Sequence, residues 1–246
     1  PATEADEPLL HSTMRLSPTV AKFVRSDADV NVIMGPRREG KSAGGIARLL
    51  RVAAEHPAAW PVRVAVVRDT WRNLERSLLP TLREGHGQGW WDVEIRESGT
   101  EAVLNGGQVH LFLFGMDNPK DASKFQSFEC GIAWLEEPAP AADLSSGIPI
   151  DVFAMALTSL SQRDMPSSIQ ASMNPPDAGH WILELIEHLQ ELGHPEMRVE
   201  MFQIPPGENR HIKAGYREKM RIGLEQANRP DLIRRLVEGQ IGVIIV

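Results

Sequence analysis

The 246-residue sequence predicts an α/β fold: a mainly parallel central sheet flanked by helices on both faces, followed by a small helical C-terminal subdomain. Three observations predict it. Short apolar, β-branched runs alternate with longer segments in which apolar residues recur at helical spacing. One run stops at a glycine-containing loop that opens a helix, and another ends in two adjacent acids.

Taken in order, residues 1–12 are polar and proline-containing and read as a flexible arm. Residues 31–34 (NVIM) form a strand stopped by Gly-Pro, and 42–54 a helix through Ile46, Leu49, Leu50 and Ala53. Residues 62–67 (VRVAVV) suit a buried parallel strand, and 70–84 a helix that Pro80 is expected to kink or break. The runs 93–96, 101–104 and 109–114, separated by ESGT and NGG, read as an antiparallel meander at one side of the sheet. Residues 131–135 (GIAWL) and 168–172 (SIQAS) supply two more core strands, and 151–160 and 181–192 read as helices. Beyond Pro205-Pro206 comes a charged amphipathic stretch, 214–239, and a strand-like end, IGVIIV. The expected division is therefore an arm at 1–12, a core at 13–205 and a C-terminal lid or linker at 206–246.

Composition excludes several function classes. With 33 acids against 26 bases the formal charge is −7, and no run of like charges forms a basic tail, so any nucleic-acid contact is expected from a local patch. A single cysteine, Cys130, allows neither an internal disulfide framework nor a Cys-rich zinc site, which suits a reducing cytoplasm. The apolar stretches are too short to span a bilayer, and no signal pattern or membrane role is expected.

The loop after the first strand reads GPRREGKS and matches G-x-x-x-x-G-K-S/T, with Gly35, Gly40, Lys41 and Ser42 in the required places. In such a loop the backbone N–H groups and the helix N-terminus converge on phosphate. The lysine bridges the β- and γ-phosphates, and the serine hydroxyl binds Mg²⁺. Pro36, Arg37, Arg38 and Glu39 fill the loop and so join the candidate nucleotide-binding residues. At the end of the run GIAWL, Glu136 is placed for the metal and Glu137 for polarising an attacking water. A glutamate in the first position is one methylene longer than the usual aspartate, so the metal is reached at greater distance or through water. Ser172 and Asn174, in SMNPPD at another strand end, read either as sensors of the γ-phosphate or as an ordinary Asn-Pro turn. The combination predicts a P-loop NTPase of the RecA-like type that uses ATP and Mg²⁺.

Together, GPRREGKS, VVRDTWRNLERSLLP, DASKFQSFECGIAWLEEP and QASMNPP resemble the ATPase domain of the terminase large subunit of tailed bacteriophages, over residues 18–242. The resemblance implies a motor that couples ATP hydrolysis to translocation of double-stranded DNA into a procapsid. It implies a portal protein, a small terminase subunit and further copies of the chain in a ring as partners, in the host-cell cytoplasm. It also implies that Arg37 contacts the γ-phosphate from within the subunit, a role suited to the guanidinium fork. Arg38 is either a second such group or a solvated, salt-bridged loop residue. A basic residue acting on the neighbouring subunit is implied too, for which Lys120, Lys124 and Arg163 are candidates, with Lys124 or Arg163 preferred. The sequence departs from the family in having Thr19 and Val20 where many relatives place an adenine-reading glutamine, which leaves base specificity open. The nuclease domain that would follow IGVIIV is not in this sequence, so an isolated motor domain is expected. The alternatives are a RecA-like helicase or DNA translocase, or a nucleotide-dependent switch. The latter lacks an Asn-Lys-x-Asp base reader and has no use for Glu137.

Overall fold

Among the described residues, eight strands form one sheet in the order β3-β4-β5-β2-β6-β7-β1-β8. The computed structural model describes residues 13–116, 121, 123, 125, 128–141 and 147–242. The strands are β1 (Val30–Met34), β2 (Val62–Arg68), β3 (Val93–Ile95), β4 (Glu101–Leu104), β5 (Val109–Gly115), β6 (Ile132–Glu136), β7 (Ser168–Met173) and β8 (Val199–Gln203). β5, β2, β6, β7, β1 and β8 are mutually parallel, while β3-β4-β5 is the expected antiparallel meander at one edge.

The central strands are buried on both faces, which is why they read as continuous apolar runs rather than alternating ones. Alternation survives in which helix each side chain meets. Val64, Val66, Ile132 and Trp134 pack with Ile46, Leu49 and Val52 of α2 (Lys41–Glu55) and with Leu74, Leu78 and Leu82 of α3 (Trp71–Gly87). Ala65, Val67, Ala133 and Leu135 pack on the other face with Val152, Phe153 and Ala156 of α4 (Ile150–Ser159) and with Ile182 and Ile186 of α5 (Trp181–Leu192). Each fully buried Val, Leu, Ile or Phe among them contributes ~1.5–3 kcal/mol relative to exposure.

Pro80 does not end α3. It sits on the helix's exposed side, where water is available to the carbonyl left without a donor, and the helix continues to Gly87. Thr70 caps α3 by accepting from the Asn73 N–H at 3.1 Å.

Two elements are absent from the sequence pattern. The short α1 (Pro18–Arg25) covers Ile33 and Ile204 with Val20 and Phe23, and β8 is an edge strand with three exposed residues out of five. An edge strand with so little burial carries no periodicity, and only its pairing with β1 defines it. The C-terminal amphipathic stretch divides at Asn228, whose φ is 52°, into α6 (Tyr216–Gln226) and α7 (Pro230–Leu232). The latter runs into a π-helical turn, Ile233–Val237. Strand-like pairing at the C-terminus is limited, among the described residues, to a bridge between Gly242 and Asp177, and residues 243–246 lie outside them, as does the arm at 1–12.

Just after the loop Gly35–Gly40, α2 packs tightly on the sheet at Gly45, where an added Cβ would lie 2.6 Å from the Trp134 ring. Gly45→Ala is therefore expected to destabilise the chain by about 1–3 kcal/mol through overpacking, read as a lower urea midpoint with unchanged slope.

Candidate functional site

The loop Gly35–Gly40 joins β1 to α2, and its geometry follows from its glycines. Gly40 occupies the position before α2 with φ 85°, a left-handed conformation that L side chains resist. Gly35 passes so close to the residue following β8 that a Cβ there would lie 2.8 Å from Ile204 Cβ. The α2 N-terminus, with its unpaired N–H groups and positive dipole end, thus faces the loop without a side chain in the way.

Lys41 reaches back over the loop. Its ammonium donates to the carbonyls of Gly35 at 2.9 Å and Pro36 at 2.7 Å and to Asn174 Oδ1 at 3.2 Å. Burial lowers its pKa from the ordinary lysine value, opposed by the charges of Glu137, Glu136 and Glu39. Ser42 Oγ donates to Glu136 Oε1 at 2.7 Å, and the other oxygen of that buried carboxylate accepts from Ser172 Oγ. Ser172 in turn accepts from Trp134 Nε1 at 2.8 Å.

Glu137 leaves β6 in the left-handed region, φ 50°, an unfavourable conformation for a residue with a Cβ. Its N–H donates to the Ser172 carbonyl at 2.7 Å, which holds the backbone in this reversal. The reversal aims its carboxylate at Asn174, where it accepts from the backbone N–H at 3.2 Å and from Nδ2 at 3.0 Å. Burial pushes the Glu137 pKa above the ordinary carboxylate value, and Lys41 opposes that shift. Asn174 is thus the link between Lys41 and Glu137, with its amide oxygen toward the one and its amide nitrogen toward the other.

The remaining loop residues diverge. Arg37 is exposed at the loop, and its backbone N–H donates to the Leu236 carbonyl at 3.0 Å. Arg38 has φ 69°, its carbonyl accepts from Asn209 Nδ2 at 2.8 Å, and its guanidinium lies 5.9 Å from the Tyr216 ring centroid. It faces the C-terminal segment. Glu39 is buried and turns away from the loop's concave side: it accepts from the N–H groups of Gly207 at 3.1 Å and Asn209 at 2.8 Å and is paired with Arg217. Pro36 packs against Gly239, where a Cβ would lie 2.7 Å from its ring.

Of the candidates for a residue acting on a neighbouring subunit, Lys120 and Lys124 lie outside the described residues. Arg163 is exposed in the turn before β7, at the end of the sheet where the parallel strands begin, opposite the loop. The sequence pattern missed Arg68, at the C-terminal end of β2. It donates to Ser77 Oγ at 2.7 Å and stands 4.0 Å from Glu136 Oε1. An arginine closing a buried strand beside the acidic one was the available signal. It also missed Arg217 and Arg235, which approach from the C-terminal segment and carry no local motif.

A metal at this site would meet one hydroxyl and one carboxylate, hard oxygen donors of the kind Mg²⁺ takes together with water and substrate phosphates. Among the described residues no group of three or more His, Cys, Asp or Glu could hold a metal unaided. Ser42 and Glu136 fit Mg²⁺ arriving with a phosphate ligand.

Glu39→Gln keeps the shape of the side chain but loses the charge that accepts from two backbone amides. Exchange at the Gly207 and Asn209 amides should rise about tenfold or more, the equivalent of a charge-assisted hydrogen bond. Unchanged exchange would mean that the Glu39 tether contributes nothing.

No protein-family model and no curated protein matches the sequence. Solved structures match in fold. The large terminase of the thermophilic bacteriophage D6E aligns with a TM-score of 0.67 over 92% of this chain and 53% of that one, at 16% identity. The large terminase ATPase domain of Thermus phage P74-26 aligns at 0.60 over 91% of this chain and 92% of that one, also at 16% identity. The HK97 bacteriophage large terminase aligns at 0.58 over 94% and 52%, at 15% identity. The D6E protein has been solved with ADP and with ATP-gamma-S. The chain therefore spans about half the length of the D6E and HK97 proteins and nearly all of the P74-26 domain, and its fold is that of the large-terminase ATPase domain.

Proposed function

We propose that this chain is the ATP-hydrolysing motor domain of a DNA-packaging terminase, a RecA-like P-loop core at 13–205 followed by a lid at 206–246. The observation that carries the hydrolytic reading is the seating of Glu137 beside Lys41, both held by Asn174. A phosphate loop that served binding alone has no need of a carboxylate strained into that position. The strand order supports the RecA-like class, since β7 stands between the phosphate-loop strand β1 and the acidic strand β6. The fold likeness supports the terminase reading.

In this reading the N–H groups of residues 38–42 cradle the phosphates, and Lys41 exchanges the carbonyls of Gly35 and Pro36 for β- and γ-phosphate oxygens. Ser42 and Glu136 would hold Mg²⁺, which would supply neutralisation of phosphate charge. Glu137 orients the attacking water and accepts its proton, a task for which a carboxylate with a raised pKa is a better base than an ordinary one. Asn174 and Ser172 report the phosphate to the rest of the fold, and the exposed Arg37 contacts the γ-phosphate. Lys124 or Arg163 acts on the neighbouring subunit's nucleotide. Double-stranded DNA, a portal and procapsid, a small terminase subunit and further copies in a ring are the partners, and the place of action is the host-cell cytoplasm. No described helix is long and apolar enough to cross a membrane.

Steady-state ATP hydrolysis, with and without double-stranded DNA, tests the reading. Glu137→Gln should retain ATP in a binding titration and lose turnover by about 10²–10⁴-fold; undiminished hydrolysis removes Glu137 from its role. Burial favours the neutral carboxyl of Glu137, so its base form is lost at a higher pH than for a solvated carboxylate as pH falls. The acid limb of kcat should accordingly lie above the ordinary glutamate value near 4.5. A limb at or below that value would contradict the assignment.

A further inference from the structure

The π-helical turn Ile233–Val237 touches all three loops of the site. Its i+5 bond, Glu238 N–H to the Ile233 carbonyl at 3.0 Å, marks the widened turn, a feature concentrated at functional positions. The Leu236 carbonyl accepts from the Arg37 N–H of the phosphate loop. Arg235, only 2% exposed, points the other way. Its Nε donates to the Pro175 carbonyl at 2.6 Å and an Nη to the Ala139 carbonyl at 2.8 Å, with the Asp177 carboxylate 3.5 Å from the other Nη.

Those two carbonyls are special in their neighbours. Pro175 follows Asn174 directly, and Ala139 follows Glu137 across Pro138. Proline fixes its own φ and restricts the residue before it, so each carbonyl is stiffly connected to the functional side chain upstream. A planar guanidinium with rigidly spaced donors suits holding two acceptors at a set separation.

Resting on the hydrolytic reading above, we propose that Arg235 is a positioning residue that sets Glu137 and Asn174 against the phosphate loop. The turn that carries it couples movement of the C-terminal segment to the catalytic geometry. The coupling has a direct route: the Arg37 N–H engaged by Leu236 belongs to the loop expected to turn its amides to phosphate. A change at that bond displaces the residue next to Arg235.

The test uses Arg235→Lys, which keeps charge and stem but cannot span both carbonyls in a fixed fork, and Arg235→Met as the neutral variant. Arg221→Gln is the control; it loosens the same segment by removing the Arg221–Glu238 contact at 3.1 Å, without reaching either loop. Arg235→Lys should lower kcat about 10- to 100-fold with ATP affinity within about threefold, since Lys41 and the loop are untouched. Arg221→Gln should leave kcat unchanged. Equal losses in both variants, or a loss confined to affinity, would overturn the proposal. A second readout does not depend on turnover: in Arg235→Lys, amide exchange should rise at Glu137 and Asn174 and stay unchanged through α2. If the wild-type chain hydrolyses no ATP, the hydrolytic reading fails, and the exchange pattern still decides whether Arg235 positions these loops. Should Arg235→Met not fold, Arg235→Lys alone carries both readouts.

Discussion

Everything at the site depends on the parallel register of β6, β7 and β1. Met34 is level with Met173, and Glu136 with Ser172, so the three strands end within one residue of the same height. The next residues out, Gly35, Glu137 and Asn174, are thereby delivered to one side of the sheet before any side chain contributes. Parallel strands are rigidly spaced, which makes their C-terminal ends a suitable platform for groups that must meet to within a fraction of an ångström. The short contacts among Ser42, Glu136, Ser172, Lys41, Asn174 and Glu137 are consequences of that level edge.

Upon this platform the structure places buried charge in a particular way. Glu136, Glu39 and Arg235 are all nearly inaccessible, and each is met by donors or acceptors rather than left alone. Glu39 and Arg235 cross to other segments, Glu39 from loop to C-terminal segment and Arg235 in the reverse direction. Buried polar ties of this kind add little net stability over an apolar core. They do define relative position, because a carboxylate or guanidinium has few geometries in which all its partners are satisfied. The C-terminal segment is therefore indexed to the phosphate loop and to the acidic strand at once.

Much of this was legible in the chain. The strand-loop-helix at GPRREGKS, the Glu-Glu strand end, the edge meander and the two-sided helical cover all emerged as expected from glycine placement and apolar periodicity. β8 and α1 did not. The first is an exposed edge and the second is a two-turn helix whose packing on β1 and β8 is not visible as a periodic run. Local propensity penalises Pro80 and predicts a kink or a break there; α3 is not broken, because the packing of Leu74, Leu78, Leu79 and Leu82 on the sheet outweighs that cost. Arg38 and Glu39 shared a loop with Lys41 in the sequence, and only the fold separates them toward Tyr216 and Arg217.

By itself the sequence determined which residues lie within a few positions of one another, and so the loop that turns on Gly40, the strands and their helices, and the acids that close β6. Those features arise from backbone conformations and periodicities that a dozen contiguous residues encode. The tertiary structure alone decided that Asn174 joins Lys41 to Glu137, that Glu39 leaves its loop for Arg217, and that Arg235 spans the loops after β6 and β7. The partners are 133 residues apart for Lys41 and Asn174, 178 for Arg217 and Glu39, and 96 for Arg235 and Ala139. No local preference selects a partner at such separations. The choice is made by which strand ends the sheet brings level and by the requirement that every buried charge finds a donor or acceptor there.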